Sequence, residues 1–392
     1  MQNTRINSHT TIIALLALLL ISCGVVGFVY TGQFSSAIAK QSASKVSIEW
    51  KLPVGAIKYL AFSSCGRYLY TVSADDTLCA YSVSGAKCYS VKNAEADRIV
   101  VCPNGEFAML YSHLNPAAAK LTFLDSRGRV YWKMKVKGAV WCADADSDKD
   151  CAKFVVGTGQ GYVYVIDVGR NRKRYTRWRA PGAVVSINTD SDDGNITLGT
   201  WQDSTILRTT NKGRRLWERD TDSTCLQYVE SLKSSDRVVN RSVPSKTGSD
   251  GALDVLDKDG NRIWQRKIDN MDKTRILAAP NGEYLCLGNS KSIEHKGKSI
   301  SERHGILLDS SGRTIWDKGS LFFQADPILV TCSGCVLLSD GKKELFTITS
   351  SGELDPSIKL PAQIKRSVAS RDGFRLLLHC GNGLLYMLRV SQ

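Results

Sequence analysis

Residues 255–264 read VLDKDGNRIW: an apolar pair, an aspartate, a glycine three residues later and a tryptophan four beyond that. These are the parts of a tight connection between two strands. The Asp257 carboxylate can accept from backbone amides of the turn, and Gly260 can take the positive φ that the turn requires. Trp264 then falls at a fixed place on the following strand. The same spacing returns at Asp125, Gly128 and Trp132, and at Asp309, Gly312 and Trp316. Looser copies run from Thr209 through Gly213 to Trp217, and from Ser82 through Gly85 to Tyr89.

A second signal lies upstream of most copies. Two apolar runs flank a turn glycine at Gly66, Gly105, Gly194, Gly282, Gly334 and Gly373. Short hairpins need such a residue. Together the two signals define a unit of four short strands. Units fall at about 57–91, 98–136, 138–180, 182–219, 223–268, 273–317, 325–360 and 363–390. The last stops a strand short, after LLYMLRV, and residues 46–52 (VSIEWKL) supply a strand with Trp50 in the expected place. Spread over eight units, residues 46–392 give about 43 residues each, a normal length for a four-stranded blade. The expectation is an all-β chain: a β-propeller of about eight four-stranded blades, with seven the competing count. A stack of β-sandwiches would not repeat a glycine–aromatic column at fixed offset. Trp50, Trp132, Trp178, Trp217, Trp264 and Trp316 are expected to dock between blades.

Composition agrees with a folded chain. Of 392 residues 43% are hydrophobic and 23% charged, and 32 Gly against 9 Pro exclude collagen-like and Pro-rich fibres. The formal charge is +14, which favours acidic partners or anionic surfaces.

Residues 12–30 (IIALLALLLISCGVVGFVY) carry no charge. As a helix they would span ~28 Å, about the hydrocarbon thickness of a bilayer. One transmembrane signal anchor is therefore expected ahead of the propeller, after a tail at 1–11 and before a small-residue linker at 31–45. Arg5 on its near side favours an N-terminus in the cytoplasm and an extracytoplasmic body. Two other fates stay open: lipidation at Cys23 in Leu20-Ile21-Ser22-Cys23, and cleavage after Ala37-Ile38-Ala39.

The D-x-x-G-x-x-x-W column resembles the repeat of the quinoprotein-like (pyrroloquinoline-quinone-like) β-propellers, and the S-x-x-G and N-G turns resemble WD-repeat proteins. The resemblance covers 46–392 and implies the fold. The dehydrogenase branch of that superfamily uses adjacent cysteines over its cofactor, calcium ligands and a catalytic Asp. No two cysteines are adjacent here, so the chain resembles a non-catalytic, membrane-anchored branch with no cofactor.

Other candidate chemistry is thin. Asp144, Asp146, Asp148 and Asp150 alternate as a hard cation would like. Lys149 and the lack of a closing Glu depart from a calcium loop, so this run and 188–194 (NTDSDDG) read as solvated acidic hairpin turns, and no metal site is assigned. Among 12 cysteines, Cys79/Cys88 and Cys142/Cys151 are disulfide candidates for an extracytoplasmic body. Cys332 and Cys335 straddle the turn at Gly334, which is not where a redox CxxC sits. His9, His113, His295, His304 and His379 show no nucleophile partner, and no catalytic residue is assigned. The sharpest feature is 170–179 (RNRKRYTRWR), with Arg170, Arg172, Lys173, Arg174, Arg177 and Arg179 and two interleaved aromatics. It reads either as a solvated loop between outer strands or as an interaction patch for an acidic protein or anionic lipid; nucleic acid is not expected. The expected function is a membrane-anchored interaction scaffold of a cell-envelope complex. The alternative is a ligand- or calcium-binding sensor, or a quinoprotein-type oxidoreductase, that uses the propeller channel.

Overall fold

The computed structural model describes residues 46–390 except 64, 93, 95, 97, 113–116, 149–150, 170, 191–192, 202–204, 222–224, 233–236, 244–250, 269–273, 296–297, 319–324 and 371. The chain divides into two units, 1–45 and 46–392. The expected tail, anchor, Cys23 and linker lie outside the described residues. Among the described residues no helix is long and apolar enough to cross a membrane.

The described strands form eight four-stranded antiparallel sheets. In chain order they span 57–91, 98–137, 140–179, 183–220, 225–268, 275–318 and 326–359, numbered here sheets 1 to 7. Sheet 8 takes three strands from 364–390 and its fourth from Val46–Pro53. That strand runs antiparallel to Leu384–Val390, from Val46 opposite Val390 to Pro53 opposite Leu384. First strands of neighbouring sheets adjoin one another, so they face inward and fourth strands lie outermost. The architecture of 46–392 is an all-β propeller.

Burial follows from that stacking. A second strand such as Phe107–Tyr111 or Val336–Ser339 is covered on both faces and buried at every residue. Each neighbouring pair of sheets shares an apolar cluster. Leu69 and Tyr81 of sheet 1 meet Leu377 and Met387 of sheet 8, and Val255 of sheet 5 meets Leu287 and Leu308 of sheet 6. Truncating one such leucine to alanine costs about 2–5 kcal/mol.

Five of the six tryptophans of the column reach a turn glycine of the neighbouring sheet, and Trp132 does not. Six outer-strand aromatics pack against the turn glycine of the next sheet. A Cβ added at Gly213 would sit 2.6 Å from Trp178, at Gly260 2.8 Å from Trp217 and at Gly312 2.7 Å from Trp264. Trp50 lies over Gly85 and Trp316 over Gly352, and Tyr89 takes the same role on Gly128. Three indole N–H groups donate to the carbonyl two residues before that glycine: Trp50 to Val83 (2.8 Å), Trp217 to Lys258 (2.7 Å) and Trp264 to Ser310 (3.1 Å). Trp132 stacks on Phe123 at 5.3 Å, while the adjacent Tyr131 hydroxyl donates to Gly169 O of the next sheet's turn at 2.6 Å. The outer strand of sheet 7, Leu354–Lys359, holds no aromatic residue. Sheet 8 has no turn there to receive one, because its outer strand comes from the other end of the chain.

The turn aspartates behave as their sequence implies. Asp309 accepts from the amides of Ser311 (2.9 Å) and Arg313 (3.0 Å) and pairs with Arg313 Nε at 3.0 Å. Burial works against the Asp309 carboxylate, but bonds from Ser311 and Arg313 outweigh it and hold its pKa at about 2.

Two outcomes follow. In urea unfolding, Trp217→Phe should cost about 1 kcal/mol for the lost indole bond. Gly260→Val should cost more, about 1–3 kcal/mol from overpacking and further from its φ of +85°. Because the folded pKa of Asp309 lies below its unfolded value, its contribution is complete above pH ~4 and is lost as pH falls toward 2. Melting temperatures between pH 6 and 2 should therefore fall less steeply in Asp309→Asn than in the unmodified protein.

Candidate functional site

Residues 172–179 are not a loop. Arg172–Arg179 is the outer strand of sheet 3, paired along its length with Tyr162–Gly169. Arg170 lies outside the described residues. Strand alternation sends Arg172, Arg174 and Trp178 to one face and Lys173, Tyr175, Arg177 and Arg179 to the other. Arg174 is neutralised by Asp167 at 2.7 Å. Lys173 donates to Tyr131 O at 2.9 Å and stands over the Tyr131 ring at 4.3 Å. These residues serve the outer edge, where cations also oppose edge-to-edge pairing.

Arg177 and Arg179 do something else. Both stand over the ring of Tyr162, at 5.2 and 5.8 Å, and Lys137 of sheet 2 joins them at 5.4 Å. Among the described residues none of these three cations has a carboxylate partner. The Lys137 hydrogen bond and charge, then Arg179 and Arg177, hold the Tyr162 phenol below its ordinary value.

Tyr162 ends the hairpin 158–162, and the other side of that hairpin carries an exposed aromatic pair. Trp141 rests on Gly159, where an added Cβ would lie 2.5 Å from the indole. Its ring stands 5.6 Å from that of Trp201 in sheet 4, and the two remain 43% and 44% exposed. The register of sheet 3 shifts between Val140 and Cys142, so Trp141 is the bulged residue of the inner strand. A bulge re-aims its side chain out of the ladder. Equivalent shifts fall at Lys58, Val185 and Lys365 in sheets 1, 4 and 8. The aromatic pair and the cationic group thus lie at the two ends of the 158–162 hairpin on a single rim, as a stripe that is aromatic toward the inner strand and cationic toward the outer one.

Sequence spacing does not bring this stripe together. It singles out Arg177 and Arg179 but passes over Lys137, Trp141, Tyr162 and Trp201. A signal existed: the repeat column uses six of the 8 tryptophans, and the two left over are Trp141 and Trp201.

Other expectations need correction. Residues 144–148 are the end of the inner strand Val140–Asp148, not a turn, and Lys149 and Asp150 lie outside the described residues. Asp144 accepts from the backbone and hydroxyl of Thr189 at 2.7 and 2.6 Å, which ties sheet 3 to sheet 4. At 188–194 an arginine meets the acidic run: buried Arg208 donates to Asp190 at 3.0 Å and Asp193 at 2.9 Å. Among the described residues no group of three or more His, Cys, Asp or Glu could hold a metal. Cys79, Cys88, Cys142 and Cys151 are free thiols. Cys79 stands opposite Ser90 and Cys142 opposite Gly157, so neither proposed partner comes within bonding reach. Cys332 and Cys335 are also free, on either side of the Gly334 turn as spacing suggests. His304 pairs with Asp317 at 2.7 Å, and the side chains of His113 and His295 lie outside the described residues.

No protein-family model matches the chain, and no curated protein matches it by sequence. Solved structures do match by fold. BamB from Moraxella catarrhalis aligns with a TM-score of 0.58 and 13% identity, over 88% of this chain and 100% of that one. Sqt1 from Saccharomyces cerevisiae gives 0.63 and 10%, over 88% and 98%. The β-propeller domain of Cps50 (Swd1) from Myceliophteria thermophila gives 0.52 and 10%, over 88% and 100%. At these identities the likeness establishes the propeller fold.

The Tyr162 environment predicts a spectroscopic signature. In an ultraviolet titration of phenolate, Tyr162 should ionise ahead of the protein's ordinary tyrosines. That early component should vanish in Tyr162→Phe and move to higher pH in Lys137→Met.

Proposed function

We propose that this chain is a non-enzymatic interaction scaffold: an eight-bladed propeller, each sheet one blade, held at a membrane by residues 12–30 with its body on the extracytoplasmic side. In this reading it serves a cell-envelope complex by presenting a rim to a protein partner. The observation that carries the proposal is the stripe Trp201, Trp141, Tyr162, Arg177, Arg179 and Lys137. Trp, Tyr and Arg are the residue types that concentrate binding energy at protein interfaces. Two indoles left near half exposed next to each other lose little when water is replaced by a partner's apolar group. Three cations with no carboxylate partner among the described residues favour an acidic segment beside that group. The thiols speak for a structural role: burial pushes Cys102 and Cys380 up to about 11 and Cys286 to about 12, away from nucleophilic use.

Full-length protein crosslinked mildly in native membranes and read by mass spectrometry tests this. One or a few partners should be recovered in near-equal amounts, with crosslinks at Lys135 or Lys137. Recovery should fall at least tenfold in Trp141→Ala/Trp201→Ala and become insensitive to salt in Arg177→Gln/Arg179→Gln. Unchanged recovery in both variants removes the stripe from the proposal. Release of the full-length chain by carbonate removes the anchor.

A further inference from the structure

A second site stands apart from the stripe, where sheet 8 meets the entry to sheet 1. A cavity of about 540 Å³ opens there between Gly55–Ile57, the inner-strand residues Lys365 and Arg366, and His379. Its floor includes Gly381 and Gly383, and nothing lies within 4 Å of where a Cβ on Gly55 would stand. Lys365 and Arg366 also wall a neighbouring cavity of about 310 Å³ that adds Arg275 and Asp326. Among the described residues no acidic side chain lines the larger one.

His379 is the telling group. It is only 5% exposed, and its Nε2 lies 2.8 Å from Gly55 O. A carbonyl can only accept, so Nε2 carries the hydrogen. Nδ1 is buried and has no hydrogen-bond partner. An unmet buried polar atom costs about 1–3 kcal/mol, and the residue that carries it is one of those lining the cationic cavity. Arg366 is held in place by donation from Nε to Ile57 O at 3.3 Å, which leaves its terminal nitrogens available. Lys365 is braced by Gln363 at 2.7 Å. Lys365 is the bulged residue of its strand, as Trp141 is of its own.

We propose that this cavity is a binding site for a phosphate-type oxyanion carried on a small organic body, with Arg366 and Lys365 as charge partners and protonated His379 as the donor at its inner wall. The apolar part of the ligand would lie against Ala56 and Ile57. Without the anion, burial first and then the Arg366 charge hold the imidazole below its ordinary value, against the opposing Gly55 bond. An anion beside Nδ1 reverses that balance, so uptake of the anion and of a proton are linked. Among the described residues, the ionisable groups that line the cavity with His379 are Lys365 and Arg366 from the inner strand and Cys380 from its own. The segments 55–57 and 381–383 bring none, and Leu385 opposite is apolar.

Sulfate, whose charge is constant from pH 5 to 8, is the first probe. Titrated against chloride at equal ionic strength, sulfate should raise the melting temperature saturably, and chloride should not. Sulfate affinity should rise several-fold from pH 8 to pH 6. Histidine NMR should show the His379 pKa moving up by at least 0.5 when sulfate is present, roughly a threefold linkage in affinity. Arg366→Gln, an exposed change that spares the core, should weaken sulfate at least tenfold. His379→Gln should keep binding but lose the pH dependence. Inorganic phosphate and glycerol phosphate separate the sources: tighter glycerol phosphate binding identifies an organic ligand, and equal binding a free anion. Equal stabilisation by chloride, an unaffected Arg366→Gln or a His379 that does not respond to sulfate would each overturn the site. None of these readouts involves the partner stripe.

Discussion

The propeller is held by an aromatic ring laid on a glycine. Eight sheets with hydrophobic faces could slide against one another, since apolar burial has no direction of its own. A ring from one outer strand that fits only where the next sheet lacks a Cβ fixes the sliding coordinate. The indole bonds to Val83, Lys258 and Ser310 add a polar pin to the same contact. With neighbours fixed in register, the inner strands keep a constant attitude. A bulge at the same place in several of them then aims different side chains at the same rim.

That rim holds both candidate sites. At sheets 3 and 4 the bulged residue is Trp141 beside Trp201, and the neighbouring outer strands add cations. At sheet 8 the bulged residue is Lys365, and the neighbours are Arg366 and a buried imidazole. Identical backbone devices thus carry different chemistry, as expected where loops and strand ends vary on an unchanged frame. Buried Arg208, which answers Asp190 and Asp193 at 4% exposure, shows the same frame meeting acidic residues with a cation of its own.

How much of this was legible in sequence depends on the range of the contact. The D-x-x-G-x-x-x-W spacing is local, so its turn and its strand can be read from ten residues. The short last repeat ends at Val390 and points to the N-terminal strand for the same reason. Residues 172–179 read as a loop because an outermost strand has solvent on its edge and tolerates charge at successive positions. The acidic run at 144–150 looks like a turn because only the partner strand shows where a strand ends. Bulges are invisible in one strand, being a mismatch between two. The Lys137–Tyr162 and His379–Gly55 contacts join residues from separate turns of the repeat, and no local pattern records them.

The closing strand has a consequence in time. Val46–Pro53 is made well before its partner Leu384–Val390, and the pair is the most distant in sequence of any in the propeller. Contacts of such long sequence separation slow folding, because loop closure precedes their reward. Until that partner is made, Val46–Pro53 has no ladder to join. During that interval the propeller is an arc whose first sheet leaves uncovered the Leu69 and Tyr81 face that later meets Leu377 and Met387.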